Sequence, residues 1–409
     1  MKKRVMFYCQ HILGMGHLVR STEIVRALTD DFDVLFVVGG EVPQGFCAPH
    51  GVRILQLPPI KSDSIFSQLH AANPMGDLEL TKQLRREMLL EAFDQHRPEI
   101  LVTELFPFGR KQFSFELLPL LERAHRETSR GRTMVVCSLR DILVTRKDQL
   151  EYEERVCGTV NRFYDLILVH GDPNLQQLGE TFLRSSDLLC PVRYTGYVVQ
   201  QPSTTLEDPL IERPRSDVPT IVVSNGGGQP VSGHLLLENC LRAAALLQPI
   251  VTLRFEVFAG PFMEEQAFQR LQQLAGEVSS VVFARYTPDL SAHLRQADLS
   301  ISMAGYNTVM DILSTGVRAL VSPFVGGGDQ EQTVRAQKMA ELGVLSVLTQ
   351  EQLDPPQLAD AILQALRRDA VRIAFNGQGA ANSNSILREF LAAWSPLYGR
   401  RESESVVLA

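Results

Sequence analysis

The sequence predicts an α/β protein built from two open, mostly parallel sheets facing each other across a cleft, and three observations carry that expectation. Short apolar or β-branched runs alternate with stretches of helical period through residues 5–169, the pattern of parallel βαβ units covered by helices on both faces. The same alternation restarts at residue 220 and continues to residue 347. Between the two halves, Pro202, Pro209, Pro214 and Pro219 stand among polar and charged residues, the composition of an extended connection. A chain of 409 residues also exceeds the size at which one hydrophobic core usually stops growing.

In the first half the expected strands are residues 5–8, 34–38, 52–55, 100–103, 134–137 and 166–169. In the second they are residues 220–224, 255–259, 281–283, 299–301, 319–321 and 345–347. The organisation that follows is a domain over 1–195, a linker over 196–219, a second domain over 220–383, an amphipathic helix over 384–399 and a frayed tail over 400–409. Each half has a glycine-rich turn after its first strand, and open α/β sheets bind ligands beyond the carboxyl ends of their strands. The cleft is therefore where a site is expected.

Composition removes several classes of function. A net charge of -7 argues against a general nucleic-acid binder, so no nucleic-acid partner is expected. The six cysteines are scattered, with no CxxC pair and no histidine at metal-ligand spacing, and read as reduced thiols in a cytosol. The five apolar residues at 5–9 fall short of a signal peptide's core, and no run reaches the roughly 18 apolar residues of a membrane span. A cytoplasmic protein is expected, with any membrane contact peripheral, on the inner face.

The most informative stretch is Ser302-Met303-Ala304-Gly305-Tyr306-Asn307-Thr308-Val309-Met310-Asp311, followed eighteen residues later by Asp329-Gln330-Glu331-Gln332. It follows an apolar strand and opens a helix, so the N–H groups from Gly305 through Tyr306 and Asn307 to Thr308 would face a diphosphate at the positive helix end. Asp311, about one turn further on, can accept both hydroxyls of a ribose, while Glu331 and Gln332 suit sugar hydroxyls. Ser224, Asn225, Gly226, Gly227 and Gly228 close the first strand of the second half, and bare glycine N–H groups there suit a phosphate or sugar nest; a plain flexible turn is the alternative. Gly326-Gly327-Gly328 makes a similar loop before Asp329, and no Walker lysine follows either run. A nucleotide-sugar pocket is the reading that joins these pieces.

On the opposite half, His11-Ile12-Leu13-Gly14-Met15-Gly16-His17 leads from the first strand into a helix. It is not a dinucleotide fingerprint, because Val19 stands where a third glycine belongs and no acidic residue closes the second strand. Gly14 and Gly16 permit close approach of a ligand, and His17 would project from the helix start into the cleft. A histidine there can take a proton from an acceptor hydroxyl, since its ordinary pKa of about 6.5 lies near working pH. A helix-capping role is the structural alternative, and His11 competes for the catalytic one. Glu104 ends the strand at 100–103 and would orient the histidine, or else be a solvated strand-end carboxylate.

Arg140 and Asp141 end another strand and could reach an acceptor. They belong to a segment, 110–147, with nine Arg or Lys against four acidic residues, which reads as a solvated helix face or as a patch approaching anionic lipid or an acidic acceptor. Asp31-Phe32-Asp33 lies at the wrong end of the sheet and reads as a surface turn. With no GxSxG, no HExxH and no carboxylate cluster, neither a triad nor a metal site is expected.

In these motifs the chain resembles the family 28 glycosyltransferases, most strongly over residues 220–345. The resemblance implies the B-type glycosyltransferase fold of two facing Rossmann-like domains, the amino-terminal one for acceptor and the carboxyl-terminal one for a UDP-sugar. It maps Gly14, Gly16 and His17 onto the family's first glycine-rich loop and Ser224 to Gly228 onto its second. It also maps Gly305, Thr308 and Asp311 onto the diphosphate and ribose stretch, and Glu331 and Gln332 onto a Gln-Gln pair that reads the donor sugar. Asp311 replaces a usual Glu, Glu331 replaces the first glutamine, and Val199 and Gln200 stand where an arginine often follows. Residues 58–98 match nothing, so the acceptor stays unassigned.

The implied activity is an inverting, metal-independent transfer of a hexose or N-acetylhexosamine from a nucleotide diphosphate sugar to a hydroxyl acceptor that is a small molecule, lipid-linked or a glycan. No cofactor is expected beyond the UDP-sugar co-substrate. The free charge of Glu331 would further exclude acidic sugars such as glucuronate. A nucleotide-sugar epimerase or hydrolase, and a non-catalytic nucleotide-sugar sensor, are the competing expectations.

Overall fold

The computed structural model describes residues 2–394 except 13–14, 44–45, 47, 63–68, 73–75, 127–130, 145, 202–216, 228–230 and 325–329. Most of the expected linker, the tail after 394, Gly14, Gly228, the glycines at 326–328 and Asp329 therefore lie outside the described residues. The amino-terminal half contains strands β1 (Lys3–Cys9), β2 (Phe32–Val38), β3 (Arg53–Gln56), β4 (Ile60–Ser62), β5 (Leu69–Ala71), β6 (Ile100–Glu104), β7 (Met134–Arg140), β8 (Leu166–His170) and β9 (Val192–Tyr194). Among them run helices α1 (Gly16–Leu28), α2 (Leu78–His96), α3 (Ser114–His125) and α4 (Gln149–Phe163). The second half has β10 (Thr220–Ser224), β11 (Arg254–Phe258), β12 (Val281–Ala284), β13 (Leu299–Ser302), β14 (Arg318–Val321) and β15 (Ser346–Val347). Its helices are α5 (Val231–Leu247), α6 (Glu265–Gly276), α7 (Leu290–Gln296), α8 (Tyr306–Thr315), α9 (Glu331–Glu341) and α10 (Pro355–Arg367), and α11 (Gly379–Ala393) closes the described chain.

The first sheet has the order β3-β2-β1-β6-β7-β8-β9 and the second β12-β11-β10-β13-β14-β15, all parallel, with β4 and β5 a separate antiparallel ribbon. Strand periodicity builds the cores. Met6 and Tyr8 of β1 face one apolar layer with α2 and α3, while Val5, Phe7 and Cys9 face the other with α1 and α11. In the second sheet Ile221 and Val223 share a core with α5 and α10, and Val222 packs toward α8 and α9. In both sheets the order reverses direction beside the first strand, between β1 and β6 and between β10 and β13. Such a reversal opens a crevice at the carboxyl ends of the strands.

Two expectations are corrected here. The last helix starts at Gly379 instead of residue 384 and packs on α1 of the first half. Its start is set where the chain squeezes past Tyr197: a Cβ on Gly379 would lie 2.6 Å from Gly196 O and Tyr197 O. Asp31 is not a free surface turn, because its carboxylate accepts a hydrogen bond from Asn384 Nδ2 at 2.6 Å and pairs with Arg388 of α11. The strands β4, β5 and β9 escaped the sequence because three residues give too little alternation to register. No described helix is long and apolar enough to cross a membrane, and the five described cysteines are free thiols.

Candidate active site

Helix α1 begins directly beyond β1, and no side chain caps its first turn. That start carries His17 toward the carboxyl end of the neighbouring β6, where Glu104 is fully buried. His17 Nδ1 donates to Glu104 Oε1 at 2.6 Å, and Arg20, one helical turn along, donates to the same oxygen through Nη2 at 2.5 Å. Burial would raise the Glu104 pKa, but His17, Arg20 and Arg110 outweigh it and hold the carboxyl well below its usual range. Burial lowers His17 to about 4 against the upward pull of Glu104, so at neutral pH the imidazole is neutral. With Nδ1–H committed to the carboxylate, Nε2 keeps its lone pair, the arrangement a general base requires.

The facing half supplies the second helix start. Ser224 and Ser302 stand in register at the ends of β10 and β13, and Gly305 leads into α8 with no side-chain cap and no acidic residue in the first turn. The N–H groups of Tyr306, Asn307 and Thr308 are thus open to an anion. Asn307 Nδ2 donates to Gly16 O at 3.1 Å, tying the two helix starts together across the cleft.

Between them lies a cavity of about 250 Å³ lined by both halves, including Gly16, Gln200, Asn225, Gly227, Pro288, Thr308, Asp311 and Gln332. Gly226 takes a left-handed φ of 59° to turn the chain into this wall, and its N–H is held by Ser224 Oγ at 3.2 Å. Asn225 is buried with neither amide atom hydrogen-bonded, and Asp311 Oδ1 is likewise buried without a partner. Burial, reinforced by Asp289, pushes Asp311 up to about 8. Buried polar atoms seldom go unpaired, so these are positions where a ligand would complete the bonding. Gln332 Oε1 accepts from Phe324 N at 3.0 Å, which leaves its amide N–H groups to donate. A shallower depression beside Arg4, Glu87, Asp94 and Arg97 lies away from the strand ends and gathers none of these groups.

The remaining expected residues sit elsewhere. His11 is buried with Nε2 hydrogen-bonded to Glu41 O at 2.7 Å, packed under Gly40 and apart from the His17–Glu104 pair. Glu331 does not offer a bare charge. It pairs with Arg140 and, at 2.8 Å, with Arg335, whose guanidinium also holds Asp141 at 2.7 Å. Burial would raise the Glu331 carboxyl, but these two arginines lower it to about 2. The expectation that its charge excludes acidic sugars is corrected accordingly, since two guanidiniums neutralise it. Arg140 and Asp141 join the two halves instead of standing free on an acceptor face. Arg132 pairs with Asp165, and Arg146 lies over Tyr152, so the basic segment 110–147 does not form one solvated patch.

Sequence reasoning placed Tyr306 only by its main-chain N–H, and missed the bridging role of its side chain and the part of Arg20 and Arg335. Tyr306 OH donates to His170 O at 3.1 Å and accepts from Val198 N at 3.0 Å. The guanidiniums of Arg20 and Arg335 lie 5.1 and 5.4 Å from its ring centroid. The i, i+3 spacing of His17 and Arg20 was the available signal for Arg20.

Two facing parallel sheets with the ligand crevice between them define the B-type glycosyltransferase fold. The spinosyn rhamnosyltransferase SpnG superposes with a TM-score of 0.58 at 17% identity over 97% of this chain and 98% of that one. MurG of Acinetobacter baumannii gives 0.53 at 15% identity over 96% and 100%. More particularly, residues 243–384 match the glycosyltransferase family 28 C-terminal domain. Curated relatives include the UDP-N-acetylglucosamine--N-acetylmuramyl-(pentapeptide) pyrophosphoryl-undecaprenol N-acetylglucosamine transferases of Ralstonia nicotianae and Psychrobacter cryohalolentis. The first is 32% identical over 25% of this chain and 28% of its own length, and the second 22% over 60% and 66%. The chain thus spans less than two thirds of the length of either.

Proposed function

We propose that this protein is an inverting glycosyltransferase that moves a sugar from a nucleotide diphosphate donor, a UDP-sugar, to a hydroxyl acceptor. The observation that carries the reading is the 3.1 Å bond from Asn307 to Gly16, which brings the helix start bearing His17 against the uncapped start of α8. A diphosphate on the N–H groups of 306–308 would leave its sugar carbon facing His17. The ribose would then reach Asp311, and Gln332 would donate to the sugar.

In this scheme His17 Nε2 takes the proton of the acceptor hydroxyl as its oxygen attacks the anomeric carbon, and the bond to the diphosphate oxygen breaks. Glu104 stabilises the imidazolium that forms, and the helix dipole stabilises the departing diphosphate. Support for the donor class comes from the family 28 domain over residues 243–384 and from the unpaired polar atoms of Asn225 and Asp311. The test is a panel of nucleotide sugars offered with and without acceptor mixtures, following nucleotide release and binding. Acceptor-dependent release from one UDP-sugar is expected. Equal release or a changed sugar without acceptor would establish a hydrolase or epimerase, and tight binding with no turnover a sensor.

A further inference from the structure

The first turn of α8 is tied to the opposite half of the molecule by its own side chains. Tyr306 opens the helix and is buried. Its hydroxyl donates to His170 O, at the end of β8, at 3.1 Å and accepts from Val198 N, in the connection between the halves, at 3.0 Å. Burial, reinforced by Asp141, holds the phenol well above its ordinary pKa, so it keeps the proton it donates. One residue on, Asn307 Nδ2 donates to Gly16 O, at the start of α1. A single contact would set a distance and leave the helix start free to swing about it. Two contacts from adjacent residues to separate segments of the first half set its direction as well.

The same turn is where an anion would sit. Val309 N is the first of α8 to bond back, to Gly305 O at 3.0 Å, so the N–H groups of Tyr306, Asn307 and Thr308 have no acceptor inside the helix. All three residues line the cavity between the halves. Tyr306 also touches the groups that hold His17: the guanidinium 5.1 Å from its ring centroid is that of Arg20, which shares Glu104 Oε1 with His17. One residue thus offers its main-chain N–H to the cavity and its side chain to the half that carries the base.

We propose that Tyr306 is a positioning residue for the transfer: its hydroxyl, with the Asn307 amide as the second point of attachment, sets where a diphosphate on the first turn of α8 lies relative to His17. The proposal rests on the glycosyltransferase reading and adds to it the side chains that fix the reacting distance. That distance matters steeply, since a misplacement of about 1 Å can lower a rate about 10²-fold.

The test measures UDP binding by calorimetry on the full chain and follows the His17 ring resonances by NMR as pH is varied with and without saturating UDP, which needs no acceptor. In the wild type the charge of bound UDP should raise the His17 pKa from the value of about 4 that burial gives it. Tyr306→Phe keeps the ring beside Arg20 and removes only the hydroxyl. It should bind UDP within about twofold of wild type yet show a smaller rise at His17, and its turnover of the UDP-sugar found by the panel should fall about ten- to a hundredfold with donor KM little changed. A loss of stability alone would move neither the His17 response nor the split between kcat and KM. Should Tyr306→Phe fail to fold, Asn307→Ala removes the exposed point of attachment, keeps the main-chain N–H and should show the same split. A His17 response or a turnover equal to wild type in the folded variant overturns the proposal, as does a UDP affinity that falls in step with the rate. UDP failing to bind the wild type sinks the donor reading as well, whereas normal UDP binding with an unchanged His17 response sinks the positioning role alone.

Discussion

Replacing His17 by glutamine isolates the proton-transfer step from everything else the cleft does. The variant loses Nε2, the atom left free to accept a proton, and a general base is worth about 10²–10⁴ in rate, or roughly 3–5 kcal/mol. The rest of the site should survive. Glu104 keeps its bond from Arg20 at 2.5 Å, so its buried charge stays paired and folding should lose only about 1 kcal/mol. The bond across the cleft uses the main-chain oxygen of Gly16, not the imidazole. Steady-state nucleotide release over a range of donor concentrations should show kcat falling by about two to four orders of magnitude with donor KM little changed. Turnover within a few-fold of wild type would remove His17 from the chemistry, and a KM rising in step with the lost rate would make it a binding residue.

The other expectations follow from the same geometry. Because burial lowers His17 to about 4, kcat/KM should stay level as pH falls through 6.5 and decline only near 4; an acid limb at 6.5 would show an imidazole in ordinary solvent. Asp311→Ala should weaken UDP binding by about 0.5–1.5 kcal/mol, the scale of a hydrogen bond to an uncharged carboxyl, which calorimetry would contradict with an unchanged Kd. The folded carboxyl of Asp311 is raised to about 8. The stability it contributes is therefore complete below about 3.8 and lost as pH rises to 8, so Asp311→Asn should gain in melting temperature over wild type across that window, and a constant difference would refute the assignment. Arg335→Ala leaves Asp141 buried without its cation and should cost about 3–5 kcal/mol in urea unfolding, whereas a loss under 1 kcal/mol would show the pair to be dispensable. Activity should persist in EDTA, because on this proposal helix ends and glycine amides would meet the diphosphate; rescue by added Mg²⁺ or Mn²⁺ after its loss would count against this.

What could be read from the sequence was what depends on neighbours along the chain. The strand-glycine-helix order around His17 and around Gly305 fixed both helix starts, and Glu104 could be placed because it ends an apolar strand. The sheet order then brings these separate ends to one crevice by the parallel-sheet rule. Residues whose roles depend on which helix faces meet across the two halves were not legible. Arg140 and Asp141 are far in sequence from Glu331 and Arg335, and only the packed arrangement turns the two pairs into one buried network. Asp31 looked like a solvated turn because its partner, α11, returns from the far end of the chain.

The central claim is that a nucleotide sugar lies between the two helix starts, and a crystal structure with UDP bound tests it most directly. The account predicts diphosphate oxygens within hydrogen-bonding distance of the N–H groups of Tyr306, Asn307 and Thr308, ribose hydroxyls on Asp311, and the terminal phosphate directed toward His17. A nucleotide seated on the amino-terminal half, or one whose ribose lies away from Asp311, would contradict it.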